Sequence, residues 1–409
     1  MIPRSLRPTS VKAVAPWLQR CSAQRRTLLA ETTASSSIPR GDDEPFTVSV
    51  PNDSFDTYNI DPPPYTLETS KSQLRQLYKD MATIRRLELE ADKLYKEQKI
   101  RGFCHLSIGQ EAVAVGIEHA ITKSDPLITA YRSHGFTHMR GGSIRSIIGE
   151  LLGKQQGISY GKGGSMHMFV KGFYGGNGIV GAHVPVGAGI GLAQQYGGKS
   201  TMTVDLYGDG AANQGQVHEA FNMAKLWDLP VLFGCENNQY GMGTSVERAS
   251  ACTEYYKRGQ YFPGIRINAM DVLAVLSAVK YARQLITGEL SDHQGPILYE
   301  YVTYRYAGHS MSDPGIAYRS REELQEKRKQ DPLTVLKHRL VELGVNTEDE
   351  IKAMDKEVRR YVNEEVQAAE DMDEPPTTHD TLYQDIFVRG AEPDYMRGRT
   401  AWETYYYAR

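Results

Sequence analysis

Thr201-Met202-Thr203-Val204-Asp205-Leu206-Tyr207 runs directly into Gly208-Asp209-Gly210-Ala211-Ala212-Asn213-Gln214-Gly215, and a helical pattern through His218, Phe221, Ala224 and Trp227 follows. A short apolar run, a glycine turn and a helix start read as one strand-loop-helix unit of a parallel sheet. The turn of such a unit attracts anions, because free backbone N–H groups and the helix dipole both point into it. The next apolar run, Pro230 to Cys235, ends in Glu236-Asn237-Asn238-Gln239-Tyr240-Gly241. Asn238 then leaves the carboxyl edge of a neighbouring strand, so that Asp209 and Asn238 converge as two oxygen ligands. Magnesium takes roughly six hard oxygen ligands, commonly one or two from protein side chains and the rest from phosphates and water, and this pair suits it.

Working outward, further apolar runs at Leu127 to Ala130 and Ile297 to Tyr304 add strands, separated by stretches of helical period. The expected fold is α/β, a doubly wound and mainly parallel sheet flanked by helices, with extra N- and C-terminal helices. Leu74, Leu77, Tyr78, Met81, Ile84, Leu87, Ala91 and Leu94 recur at helical spacing and predict a long amphipathic helix after a Pro-rich lead-in. Between Gly157 and Gly191 glycines are dense and charges few, which predicts loops beneath a ligand. From Arg321 to about Asp373 the chain turns charge-rich and helical, opening at Ser320 with Glu323 three residues on, the pattern of an N-terminal cap. The expected divisions are a presequence at 1–35, the lead-in at 36–70, the α/β domain at 71–320, the helices at 321–373 and a tail at 374–409.

The chain has 409 residues, 40% of them apolar and 24% charged, enough for a large core. A net charge of -3 gives no reason to expect a nucleic-acid partner, and no apolar run approaches the roughly 20 residues needed to span a bilayer. No acidic residue precedes Glu31, while Arg4, Arg7, Lys12, Arg20, Arg25 and Arg26 recur among Val11, Val14, Trp17 and Leu18. That is the composition of a cleaved mitochondrial presequence and points to the matrix. Its removal takes Cys21 and leaves Cys104, Cys235 and Cys252, without metal-site spacing or even pairing. Two other glycine patterns carry no phosphate site. Gly198-Lys199-Ser200 lacks the first P-loop glycine, since Ala193 stands there, and Gly187, Gly189 and Gly191 miss the dinucleotide pattern at Leu192.

Gly208-Asp209-Gly210 followed by Asn237-Asn238 resembles the thiamine diphosphate signature of 2-oxo acid dehydrogenases, transketolases and their relatives. Longer stretches narrow the resemblance to the alpha subunits of 2-oxo acid dehydrogenases acting on pyruvate. These are Arg101 to Leu106, Thr129 to Arg132, Gly161 to Met168, Gly175 to Pro185, Gly241 to Arg248 and Gly308 to Gly315, so the likeness covers most of residues 70 to 335. Members acting on branched-chain 2-oxo acids or acetoin share the signature but differ in the last two stretches. They remain the alternative reading, as does a non-catalytic scaffold that keeps the fold.

The resemblance implies that Asp209, Asn238 and the Tyr240 carbonyl bind magnesium. It places Tyr131, Arg132, Arg305 and His309 at the diphosphate, with Gly210 and Ala211, and Gly178 and Val180 at the aminopyrimidine. His105 and His309 would act near the reacting carbon by proton transfer or charge stabilisation. His134, His138 and His167 are given no such role and are expected to be buried imidazoles with satisfied hydrogen bonds. The family's alpha subunit works with a beta subunit that supplies the activating glutamate in an α2β2 tetramer, and passes its acetyl unit to the lipoyl domain of dihydrolipoamide acetyltransferase. Ser310 and Ser245 match regulatory phosphorylation positions of animal relatives, which implies a kinase and a phosphatase. A third such position is Ala317 here, and Ala307 replaces a histidine of animal members.

Overall fold

The computed structural model describes residues 39–290, 295–315, 317–378, 381–382, 384–387, 395–397 and 404–406. The expected presequence and Cys21 lie outside the described residues, as does most of the expected tail. The elements that follow all belong to the unit Arg40–Arg409. Three short strands, β1 (Phe46–Ser49), β2 (Phe55–Tyr58) and β3 (Thr66–Thr69), precede helix α1 (Lys71–Lys96). Then come α2 (Glu111–Glu118), β4 (Leu127–Ile128), α3 (His134–Met139), α4 (Ile144–Leu151) and α5 (His183–Tyr196). The strand β5 (Thr203–Gly208), helix α6 (Gly215–Leu226) and strand β6 (Val231–Asn237) form the unit that the sequence singled out. A small hairpin, β7 (Tyr240–Gly241) and β8 (Thr244–Ser245), leads into α7 (Val246–Ala249). Strand β9 (Gly264–Asn268), helix α8 (Val272–Ile286) and strand β10 (Ile297–Val302) complete the sheet. The helices α9 (Arg321–Arg328), α10 (Pro332–Glu342) and α11 (Glu348–Glu370) follow.

Six strands lie in the order β2-β9-β10-β6-β5-β4, all parallel except β2, which closes one edge antiparallel to β9. The expected neighbour relation holds, since β5 and β6 pair in parallel with Thr203 opposite Val231 and Gly208 opposite Glu236. Alternate residues feed two separate cores. Val204, Leu206, Leu232, Tyr299 and Tyr301 pack with α1, α2 and α8, whereas Tyr207, Val231, Phe233, Cys235 and Leu298 pack with α5 and α6. Helices thus cover both faces, as in a doubly wound sheet, and the strands read as continuous apolar runs for that reason.

Helix α1 begins at the cap Ser70, whose hydroxyl accepts from the Gln73 N–H, and all eight apolar positions named from its period are buried. Ser320 caps α9 in the same way, accepting from the Glu323 N–H at 3.0 Å. The Glu323 side chain does not close a capping box; it accepts from the Tyr240 and Tyr304 hydroxyls instead. Helix α9 buries nothing, while α10 and α11 bury Leu336, Leu340, Ile351, Val358, Val362 and Val366.

The glycine-rich stretch is loop only as far as Ala182, and its last part, from His183, opens the helix α5. Glycine is tolerated there because it lets the helix sit directly on the sheet. A Cβ on Gly187 would stand 2.3 Å from an Asp205 oxygen, and one on Gly191 would stand 2.5 Å from Val231.

Asp205 itself is fully buried, and neither carboxylate oxygen has a hydrogen-bond partner among the described residues. Burial pushes its pKa well above the ordinary carboxylate range, so the folded chain holds a proton that the unfolded chain releases above about pH 4. Stability from this group is therefore complete below about pH 4 and is lost as pH rises towards the folded value. Asp205→Leu, with the same number of side-chain heavy atoms, is expected to stabilise the chain by about 1–3 kcal/mol near neutrality. Its advantage should grow by up to about 1.4 kcal/mol per pH unit. Denaturant midpoints of both proteins between pH 5 and 8 check this, and a pH-independent difference would rule it out.

Candidate active site

The carboxyl ends of β5 and β6 deliver the two expected oxygen ligands to one cavity of about 250 Å³. Asp209 and Asn238 are 4% and 8% exposed. The Asn238 amide donates to the Gln110 Oε1 at 3.2 Å, which leaves Asn238 Oδ1 buried and without a partner among the described residues. An orphaned buried acceptor beside a carboxylate is unfavourable unless something electropositive fills the space. Burial raises the Asp209 pKa to about 6, against the pull of two backbone N–H groups, Arg305 and Arg132. The loops touch through glycines: a Cβ on Gly210 would stand 3.3 Å from the Gly241 Cα, and one on Gly241 3.2 Å from the Gly210 Cα. Gln239 and Met242 hold the left-handed backbone at φ 77° and 56°, folding the loop after β6 tightly around the cavity.

Two guanidinium groups face the same space. Arg132 is 7% and Arg305 1% exposed, and neither pairs with a carboxylate among the described residues. Arg132 donates to the Leu106 carbonyl and, at 3.1 Å, to the His309 carbonyl. Among the described residues Arg305 makes only long contacts, to the Tyr240, Met242 and Ala307 carbonyls at 3.3–3.4 Å, to His309 Nδ1 at 3.4 Å and to the Tyr318 hydroxyl at 3.2 Å. Burial, then repulsion from Arg132, lowers the Arg305 pKa to about 10. Two buried, unneutralised cations call for a multiply charged anion.

A second cavity of about 660 Å³ opens beside the first and shares Tyr131, Val180, Met242 and His309 with it. His105, Tyr131 and His309 form an aromatic cluster, with ring centroids 4.4 Å apart for His105 and Tyr131 and 5.5 Å apart for the two histidines. The Tyr131 hydroxyl lies 3.4 Å from His309 Nε2. Burial and then Arg132 hold His105 down to about 3 and His309 down to about 4, so both imidazoles are neutral at pH 7.

Most of the sequence-derived site residues meet here. Tyr131, Arg132, Val180, Asp209, Gly210, Ala211, Asn238, Tyr240, Arg305 and His309 line the first cavity, and His105, Gly178 and Ser310 line the second. Ser245 lines neither; it pairs with Tyr240 across the β7–β8 hairpin and precedes α7. Among the histidines expected to be buried and bonded, His134 fits, bonding Glu88 and Ser165, and half-buried His138 bonds the Gly142 carbonyl. His167 is a correction: it is exposed, in the turn-rich loop that follows Gly161, Gly163 and Gly164.

The Dehydrogenase E1 component family model matches residues 79–378. The chain belongs to the dehydrogenase E1 component family. It is 64% identical over 373 residues to the pyruvate dehydrogenase E1 component subunit alpha, mitochondrial, of Chaetomium thermophilum, covering 91% of this chain and 90% of the relative. The protein of the same name from Schizosaccharomyces pombe is 57% identical over 94% of each chain. The human somatic form is 55% identical over 77% of this chain and 80% of its own length.

For an E1 component, sequence reading missed two residues of the site. Gln110 precedes α2, more than a hundred residues from the Asn238 whose amide it fixes. Glu236 is buried in the cavity wall, and burial raises its pKa to about 7 against Arg132 and Gln110. The signal for Glu236 was its place at a strand's carboxyl end, two residues before Asn238. Gln110 left no signal of comparable strength. No group of three or more His, Cys, Asp or Glu placed to hold a metal ion occurs among the described residues. A magnesium site here would lean on one carboxylate, amide and main-chain oxygens, and phosphates.

Proposed function

We propose that this chain is the alpha subunit of the decarboxylating component of a mitochondrial pyruvate dehydrogenase complex, acting in the matrix on pyruvate. The observation that carries the reading is the pairing of two unneutralised buried guanidinium groups with the orphaned Asn238 Oδ1 and Asp209 around one cavity. The donor set fits a magnesium diphosphate. Asp209, Asn238 Oδ1 and the Tyr240 carbonyl would hold magnesium, and Arg132, Arg305, Tyr131, His309 and the Gly210 and Ala211 backbone would hold the diphosphate. Gly178 and Val180 would present backbone to the aminopyrimidine. The E1 family works with thiamine diphosphate, which supplies the electron sink when carbon dioxide leaves pyruvate.

The chain's own residues orient and shield. His105 and His309, neutral in the free chain, stand where they can exchange a proton with the reacting group. Phe103, Met166, Met242 and Pro314 line the second cavity, which gives the lipoyl arm of dihydrolipoamide acetyltransferase an apolar way in. Ser310 on that wall is the regulatory position for a kinase and a phosphatase.

An exposed apolar stripe supports a beta subunit. On α5, Val186 is 51%, Leu192 41% and Tyr196 94% exposed, and at the end of α6 Leu226 is 69% exposed. Such a stripe marks a protein interface. Gly189 on the same face has open space around it. Gly189→Arg is expected to leave the thermal stability of the alpha chain unchanged or slightly higher, since glycine is a poor helix former. It should abolish co-purification with beta, and an intact α2β2 tetramer of this variant would refute the interface. The substrate assignment is tested by turnover of the co-purified α2β2 protein. Pyruvate is expected to be preferred; faster release of carbon dioxide from 2-oxoisovalerate, or cleavage of acetoin, would assign another member.

A further inference from the structure

Behind the cavity wall lies a chain of buried polar groups that the chemistry above does not use. Glu88, on the core-facing stripe of α1, and His134, the first residue of α3, have fully buried side chains. Glu88 accepts from His134 Nδ1 at 2.9 Å and from the Ser107 N–H and hydroxyl at 3.1 and 2.7 Å. His134 Nε2 lies 2.9 Å from the Ser165 hydroxyl, which accepts the main-chain N–H of His105 at 3.3 Å. Although burial opposes ionisation, His134 and the Ser107 donors hold the Glu88 carboxyl below the usual range. With that carboxylate taking the His134 Nδ1 proton, one order satisfies every donor. The His105 N–H donates to Ser165, the Ser165 hydroxyl to His134 Nε2, and His134 Nδ1 to Glu88.

A buried carboxylate and imidazole cost more to fold than an apolar pair of the same shape. Their contacts converge on one segment. Ser165 takes the His105 N–H, Glu88 takes the Ser107 N–H, Arg132 binds the Leu106 carbonyl, and the Cys104 carbonyl accepts the Met311 N–H at 2.9 Å. The His105 ring cannot orient itself through Nδ1, which is buried without a partner among the described residues. Its place 4.4 Å from Tyr131 and 5.5 Å from His309 is therefore set by its backbone.

We infer that Glu88, His134 and Ser165 form a positioning relay that fixes His105 at the reacting centre through its main-chain N–H. This inference rests on the reading of His105 given above. The relay acts on the reacting step and leaves cofactor binding alone, because none of its hydrogen bonds reaches Asp209 or Asn238, which follow the ends of β5 and β6.

The test is a double-mutant cycle on the α2β2 enzyme saturated with magnesium thiamine diphosphate, comparing Ser165→Ala, His105→Ala and the double variant. Ser165→Ala is expected to lower kcat about tenfold, the scale of one hydrogen bond, with the thiamine diphosphate affinity and the KM for pyruvate changed by less than about twofold. In the His105→Ala background the same change should cost less than about twofold. A wild-type kcat for Ser165→Ala, a cofactor affinity that falls with it, or an equal tenfold loss in both backgrounds would overturn the relay. Should Ser165→Ala not assemble, Glu88→Gln carries the same cycle, since it keeps the shape but reverses the hydrogen bond to His134. Failure of that variant to assemble as well would make the network a folding element and refute positioning. A wild-type rate for His105→Ala would instead refute the role of His105 itself, and the relay with it.

Discussion

Arg305→Met is expected to make the cofactor-free chain more stable and the enzyme nearly unable to bind its cofactor. The guanidinium is 1% exposed, has no carboxylate within pairing distance among the described residues, and faces the second cation Arg132. Burial without neutralisation is costly, and the carbonyl contacts that remain are long, at 3.3–3.4 Å. A methionine of similar length removes that penalty, so the free chain should gain about 1–3 kcal/mol. Cofactor binding should weaken by a few hundredfold or more, as when one partner of a buried charge pair is removed. Opposite signs in the two measurements identify a residue kept for its ligand and not for the fold. Thermal unfolding without ligand and titration of magnesium thiamine diphosphate check both arms. A variant destabilised in the free state, with affinity intact, would make Arg305 a structural residue.

Ser310→Glu should cut turnover at least about a hundredfold while Ser310→Ala stays near wild type. Ser310 is 8% exposed on the wall of the second cavity, its hydroxyl 2.8 Å from that of Ser312. The loop around it folds on Asp313, which accepts the His309 N–H at 2.7 Å, the Gly315 N–H at 2.8 Å and the Tyr318 hydroxyl. Despite partial burial, those donors hold the Asp313 pKa below the usual range, so its carboxylate is charged. A second negative charge three residues away would repel that carboxylate. The loop must then leave, and it takes His309 with it; a phosphate, at about -1.5 to -2 charges, would act more strongly. Steady-state rates of the two variants decide the matter, with phosphopeptide mapping of the native protein in the presence of its kinase. Wild-type turnover by Ser310→Glu would remove the proposed switch.

The two-faced sheet and the α1 helix were legible because buried parallel strands and an amphipathic helix leave strong periods. Asp209 and Asn238 were legible because strand ends are where such a sheet gathers ligands. What escaped was set by tertiary partners. β2 is a four-residue edge strand held only by β9, and Gly264–Asn268 is too short to stand out by period. Glycine density hid α5, because the same lack of side chains that suits a loop suits a helix pressed onto Asp205 and Val231. Gln110, Glu88 and Ser165 sit in three distant stretches, and only folding brings them behind one cavity. His167 shows the converse: a histidine inside a matched motif and still exposed.

One experiment bears on the cofactor site before all others. The alpha chain co-purified with its beta partner would be titrated calorimetrically with magnesium thiamine diphosphate, as wild type and as Asp209→Ala, while carbon dioxide release from pyruvate is followed in the same preparations. Saturable binding and release in the wild type, both lost in Asp209→Ala, is the expected result. Equal binding by the variant, or a wild-type protein that binds nothing, would contradict the assignment of Asp209 and its cavity to the cofactor.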